Sequence, residues 1–380
     1  MSSNLAAPTL IMTRQTKYIL LSVLVIFAMA IGGIYLVNMW QENVLKTDNQ
    51  RTAQMTELRE SLAKSVTKGV YPIQSQRLTA EFPQNLGDGK LVKAKDTAYY
   101  AATSDGSYYL ACYQLQRKKV AYFVNPDGAF KADRGACNER IKPELSRFVT
   151  INGFTDGAAT AWYRGNPTVL PQADIQTKCA GSVHGDSQLA GCYNGTIYVM
   201  NYTEPEIASE MYVTAAHEML HAAYQALSST ERSSVDQLAV AEAKRINDPK
   251  LQKYLEGYDQ KERPNELHSV LGTEYPNLSP ELERHYAQYF KNRSVVVAKH
   301  ALYQTKIDSL ENEITNLKSR LDRIGADAER AKTNGNIALY NTYVAPYNAL
   351  VEQINAKIDD YNRLTAHTRP ASAKQKVGDK

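Results

Sequence analysis

The sequence predicts an α+β fold carried on an N-terminal transmembrane helix and followed by a C-terminal antiparallel helical hairpin. Three patterns support this. "YILLSVLVIFAMAIGGIYLVNMW", Tyr18 to Trp40, holds no charge. From Leu91 to Met200, short stretches rich in tyrosine, valine and threonine alternate with turn signals such as "SDG", "NPDG" and "GDS". In the final third, apolar residues recur in three-four alternation. The 380 residues, 22% charged and 43% hydrophobic, suffice for one sizeable core with accessory elements. Lys and Arg (44) nearly balance Asp and Glu (40), and no basic block stands out beyond the tail "SAKQKVGDK", so no nucleic-acid partner is expected. Tyrosine is common, at 25 residues, but it suits half-buried surfaces in general and indicates no particular chemistry.

The run 18–40 is long enough, at about 1.5 Å per residue, to cross a hydrocarbon core of about 30 Å. Arg14 and Lys17 precede it and Trp40 sits at its far end, which assigns 1–17 to the cytoplasm. Ala28-Met29-Ala30 resembles a signal-cleavage site, the rival reading that would leave a secreted protein. The apolar run continues to Val37, which favours an uncleaved anchor. Either way the remaining chain is extracytoplasmic. Cys112, Cys137, Cys179 and Cys192 all follow the run, an even set suited to two disulfides. Three connectivities are possible, and sequential pairing is the simplest because each bond closes a short, turn-rich loop.

Residues 41–70 read as a helical stalk with apolar positions at Val44, Leu45, Met55, Leu58, Leu62 and Val66. A single domain is expected over 71–298. "SYYLACYQL", "KVAYFV", "AATAWYR" and "GTIYVMNY" are its expected strands. Pro205–Leu227, Gln237–Ile246, Asn265–Glu274 and Pro280–Asn292 are its expected helices, the last capped by Ser279 and opened by Pro280. Over 299–365, Ile307, Leu310, Ile314, Leu317, Leu321 and Ile324 form one seam. Tyr340, Val344, Tyr347, Val351, Ile354, Ile358 and Tyr361 form a second. Joined by "GADAERAKTNGN", the two predict an antiparallel coiled-coil hairpin able to pack on the domain or self-associate. Pro346 should kink the second helix or mark its start. Residues 366–380 are expected to be a disordered tail.

The chemistry concentrates in "TAAHEMLHAAYQAL", Thr214 to Leu227. His217 and His221 are four apart, so on a helix their imidazoles share one face and can meet one tetrahedral metal ion. Glu218 is placed to take a proton from a water activated by that metal. The flanking Thr214, Ala215, Ala216, Met219, Leu220, Ala222 and Ala223 are uncharged, as a buried helix requires. Core or capping histidines are the bland alternative.

This stretch resembles the zincin metallopeptidases, and the likeness spans Gly191 to Phe290. "GCYNGTIYVMNY" lies where a zincin has the edge strand that binds an extended peptide. Asn265-Glu266-Leu267-His268-Ser269 is similar to the NExxS segment of thermolysin-like gluzincins, which implies a zincin-like fold, one zinc ion and Glu266 as third ligand. Glu274, His268 and Glu242 stay open as alternatives for that role. In the family an aspartate follows the serine and orients a ligating histidine; Val270 stands there in this chain. The separation from His221 to Glu266 implies an inserted helix around Val235–Leu255. His285 and Tyr286 are candidates for stabilising an oxyanion.

Two functions fit this reading. The first is a membrane-anchored extracytoplasmic zinc peptidase that hydrolyses a peptide or protein substrate with Glu218 as general base. The second is a membrane-tethered interaction protein with an inactive zincin-like domain and an assembly hairpin.

Overall fold

The computed structural model describes residues 14–65, 71, 76–77, 98–116, 119–138, 141–180 and 190–365. Residues 1–13, Val66 and the expected tail at 366–380 lie outside these. The fold is mixed α+β and mostly helical.

Helix α1 (Arg14–Ser65) fuses the expected membrane span and stalk into one uninterrupted 52-residue helix. Its side chains from Val25 to Trp40 are exposed, and the helix is long and apolar enough to cross a membrane. Its second half is not a free stalk. Met55, Leu58 and Leu62 are buried against Tyr100, Tyr109, Tyr113 and Val124. The spacing of these three puts them on one helical face. Polar contacts fix the same docking: Arg51 donates to the Gln114 carbonyl (3.0 Å) and Arg59 to those of Asn125 (3.0 Å) and Pro126 (3.1 Å), while the Asp48 carboxylate accepts from the Gln116 N–H (2.8 Å). Leu45 stays exposed.

The surface that receives α1 is an antiparallel sheet of β1 (Gln76–Arg77), β2 (Ala98–Ala102), β3 (Tyr109–Gln114), β4 (Val120–Asn125) and β5 (Gly128–Asp133), ordered as in sequence. Alternation along the strands splits their side chains between two cores. Tyr109, Ala111 and Tyr113 face α1, whereas Leu110 and Cys112, with Phe123, Phe130 and Ala132, join the main core. Cys112 pairs with Cys137 and Cys179 with Cys192, which is the sequential connectivity.

Helices α2 (Pro143–Ile151) and α3 (Asp156–Arg164) cover the inner face. "AATAWYR", expected as a strand, lies inside α3. Thr155 caps that helix by accepting from the Ala158 N–H (3.3 Å), three alanines favour it, and its buried face is Ala158, Ala159 and Trp162. A second sheet is ordered β6 (Thr168–Leu170), β8 (Ile197–Met200), β7 (Gly191–Tyr193), with β6 parallel and β7 antiparallel to β8. Of "GCYNGTIYVMNY", therefore, only the first part forms an edge; "IYVM" is the central strand. Between β6 and β7, α4 (Gln172–Lys178) leads to the Cys179–Cys192 bond.

The remaining domain helices are α5 (Glu210–Ala226), α6 (Ser229–Ile246), α7 (Pro249–Glu256), α8 (Arg263–Thr273) and α9 (Pro280–Tyr286). Residues 205–207 form a separate short turn before α5. Helix α6 starts earlier than expected because Ser228 and Glu231 form a capping box. The inserted segment holds both α6 and α7. Helix α9 is shorter than expected, and the Ser279 side chain makes no cap bond; its N–H instead donates to Glu242 Oε1 (3.1 Å).

The hairpin pairs α10 (Ser294–Thr333) with α11 (Ile337–Leu364). "GADAERAKT" continues α10, since Ala, Glu, Arg and Lys are strong helix formers, and the turn shrinks to Asn334-Gly335-Asn336 with Gly335 at φ +71°. Pro346 lies within α11, so it does not mark the helix start. The root of the hairpin is part of the domain core: Tyr303, Ile307, Leu310 and Leu364 pack with Ile175, Met200 and the Cys179–Cys192 bond. Helix α10 itself begins at Ser294, five residues before the expected start of the hairpin. Leu321, Leu350, Ile354 and Ile358 form the middle of the seam, while Val344 and Tyr347 nearer the tip are exposed.

If α1 is an integral support for the sheet, Leu62→Ala in the full-length protein should lower unfolding free energy by about 2–5 kcal/mol. A denaturant midpoint equal to that of the parent would mean that the helix is a free stalk.

Candidate metal centre

Helix α5 is buried along most of its length, with Val213, Ala215, Ala216, Met219 and Leu220 in the main core. The i, i+4 spacing places His217 and His221 one turn apart, and their Nε2 atoms lie 3.1 Å from each other. From α8, Glu266 brings Oε1 to 3.2 Å from His217 Nε2 and Oε2 to 3.3 Å from His221 Nε2. These ligand atoms all fall within 4.8 Å of one another. Metal–ligand bonds of about 2.0–2.1 Å in a tetrahedron separate neighbouring ligand atoms by about 3.3 Å, so the observed spacings suit a single small cation.

The approach of α8 to α5 depends on Gly272. A β-carbon there would lie 2.5 Å from Leu220 Cδ1 and 2.8 Å from Tyr286 Cε1. A larger residue there must displace the Leu220 and Tyr286 side chains that pack against α8. Ser269, on the same helix, places Oγ 3.2 Å from His221 Nδ1. A proton on Nδ1, accepted by Ser269, leaves the Nε2 lone pair facing Glu266. Where the resemblance expects an aspartate, Val270 is buried in the core, and Ser269 makes the orienting contact.

Burial resists ionisation of Glu266, but the adjoining His217 and His221 hold its carboxyl well below the usual range. His217 is pushed up in turn, against its own burial, by Glu266. A cation binding here would replace the imidazole proton as the partner of Glu266. Glu218, next in sequence, is 5% exposed, and its Oε2 has no hydrogen-bond partner among the described residues. Burial raises its pKa despite both histidines. Its Oε1 adjoins Gly191 at the start of β7, where a β-carbon would come within 3.1 Å. The edge strand and the buried carboxylate thus sit side by side.

The other candidates are placed elsewhere. Glu274 closes α8, with Oε2 3.6 Å from His300 Nε2; His300 Nδ1 lies 3.1 Å from Glu210 Oε1. Glu242 pairs with Arg245. His268 points away from Glu266, with Nε2 2.9 Å from His285 Nε2, and the Tyr286 hydroxyl donates to the His268 carbonyl (2.6 Å). His285 Nε2 and the Tyr286 hydroxyl are thereby engaged by His268. Sequence reasoning missed Tyr254, whose hydroxyl donates to Glu266 Oε1 (2.5 Å), and Tyr258, whose hydroxyl is 2.9 Å from that of Tyr254. It also missed His300, which belongs to the hairpin by sequence. No protein-family model, curated protein or solved structure matches the chain.

His300 links α10 to both ligand-bearing helices and yields a pH prediction. Burial disfavours its charge, but the Glu210 hydrogen bond and the Glu274 carboxylate outweigh burial and the opposing His217, raising it to about 9. With the folded value above the unfolded one, its stabilisation is complete below about pH 6.5 and disappears as pH rises through the folded value. His300→Gln should therefore cost on the order of 1–3 kcal/mol at pH 6 and much less at pH 10. Thermal unfolding of parent and variant at both pH values checks this; a pH-independent gap would contradict it.

Proposed function

We propose that this protein is a membrane-anchored, extracytoplasmic zinc peptidase whose domain is zincin-like, with a gluzincin-type ligand set of His217, His221 and Glu266. The observation that carries the reading is the convergence of these three groups beside a buried carboxylate, Glu218, that has an unpartnered oxygen. Two imidazole nitrogens and a carboxylate form a donor set suited to one zinc ion. When bound, zinc supplies Lewis acidity, lowering the pKa of water and polarising a carbonyl.

The chain's own residues account for the remaining steps. Glu218 accepts a proton from the attacking water and delivers it to the departing amine. Burial, by favouring its protonated form, suits a carboxylate that must hold that proton between the two transfers. Strand β7 pairs with β8 alone among the described strands and runs beside Glu218, so an extended peptide adding to its outer edge would lie along the carboxylate. The exposed apolar part of α1 supports the anchor, and two disulfides support an oxidising, extracytoplasmic setting for the domain.

The test is zinc content and peptide-library cleavage by the full-length protein in detergent, alongside Glu218→Gln. One zinc per chain in both, with cleavage reduced at least about 100-fold in the variant, is the expected result. Zinc in both with cleavage in neither contradicts the peptidase reading, and no zinc in either contradicts the metal centre.

A further inference from the structure

We propose that α7 belongs to the metal centre, with Tyr254 a positioning residue that holds Glu266 in its ligating orientation through a phenolic hydrogen bond, supported by Tyr258. This rests on the reading of His217, His221 and Glu266 as a metal site.

A carboxylate on a helix turns freely about its terminal bond unless both oxygens are held. The histidine nitrogens lie against the two oxygens of Glu266, at 3.2 and 3.3 Å, and these are the contacts a bound cation would replace. The other constraint comes from a separate element: the Tyr254 hydroxyl reaches Oε1 at 2.5 Å, a length typical of O–H donation to a charged oxygen. A phenol has one proton. Tyr254 donates its proton to Oε1, and the Tyr258 hydroxyl, 2.9 Å from that of Tyr254, also interacts with the Glu266 carboxylate. Both phenols thus bear on the Glu266 carboxylate, with Tyr254 at hydrogen-bond distance from Oε1 and Tyr258 beside it.

The position of α7 fits this role better than simple packing. Leu251, one turn before Tyr254, is its buried anchor. Asp248 caps the helix by accepting from the Lys250 N–H (2.8 Å) and also accepts from the Tyr275 hydroxyl (2.7 Å), which ties α7 to the end of α8. Tyr254 remains 45% exposed overall, so its ring adds little to the core although its hydroxyl enters the site. An outer hydrogen bond to a metal-ligating group contributes to metal retention, and its loss typically weakens affinity by about 10–100-fold.

The experiment is chelator competition for zinc by the full-length protein in detergent, comparing the parent with Tyr254→Phe and Tyr258→Phe. Tyr254→Phe should weaken zinc binding by about 10–100-fold and shift the visible spectrum of the cobalt-loaded protein, while the metal-free variant keeps the far-UV circular dichroism of the folded parent. Tyr258→Phe should produce a smaller loss in the same direction. Unchanged affinity and cobalt spectrum in Tyr254→Phe would overturn the proposal while leaving the metal site intact. A phenolate-to-copper charge-transfer band in the copper-loaded parent, absent from Tyr254→Phe, would overturn it by making Tyr254 a ligand. A parent that binds no zinc would remove the metal reading and this proposal together.

Discussion

Everything in this molecule that bears on chemistry depends on the close packing of α5 against α8. The first helix carries His217, Glu218 and His221, the second Glu266 and Ser269, and Gly272 allows them to meet. Such contacts tolerate little change, because protein interiors are packed to crystal-like density and an added methyl group must displace its neighbours. The polar groups follow from that packing. A carboxylate placed between two buried imidazoles is costly alone, and here the imidazole proton that it holds on His217 offsets that cost. Glu218 remains outside that pairing: its Oε2 has no partner among the described residues, and its Oε1 adjoins Gly191 on the edge of the smaller sheet.

Around this core, the elements that look accessory are structural. Helix α1 enters the domain as one wall of the five-stranded sheet, so the segment capable of crossing a membrane and the domain form one continuous support. The hairpin likewise begins in the core, where Val296 is buried and His300 bridges Glu210 at the start of α5 and Glu274 at the end of α8. A displacement at the root of the hairpin would thus reach the helices that carry His217, His221 and Glu266.

What the sequence revealed was mainly local. The i, i+4 histidines were legible because helical geometry alone sets their relationship, and the apolar stripe of Met55, Leu58 and Leu62 was visible for the same reason, although its partner sheet was not. Glu266 was singled out by likeness to a short segment rather than by spacing, and the structure brings it to His217 and His221. "AATAWYR" was misread because tyrosine and tryptophan suit strands as well as buried helix faces, and its alanines, with Thr155 as cap, decide the matter. "GADAERAKT" was misread as a linker because it interrupts the apolar seam, although its alanines, Glu, Arg and Lys favour a continued helix. The Tyr254 contact left no signal: it depends on the angle at which α7 meets α8, twelve residues from its partner, in a chain where tyrosine is common.

The central claim, that two imidazoles and one carboxylate hold a single metal ion, is tested most directly by X-ray absorption at the metal edge of the purified full-length protein. The account predicts a zinc signal with nitrogen and oxygen neighbours at about 2.0–2.2 Å, an imidazole scattering pattern from two histidines, and no sulfur. A sulfur neighbour, a single imidazole, or a spectrum unchanged when Glu266 is replaced by glutamine would contradict it.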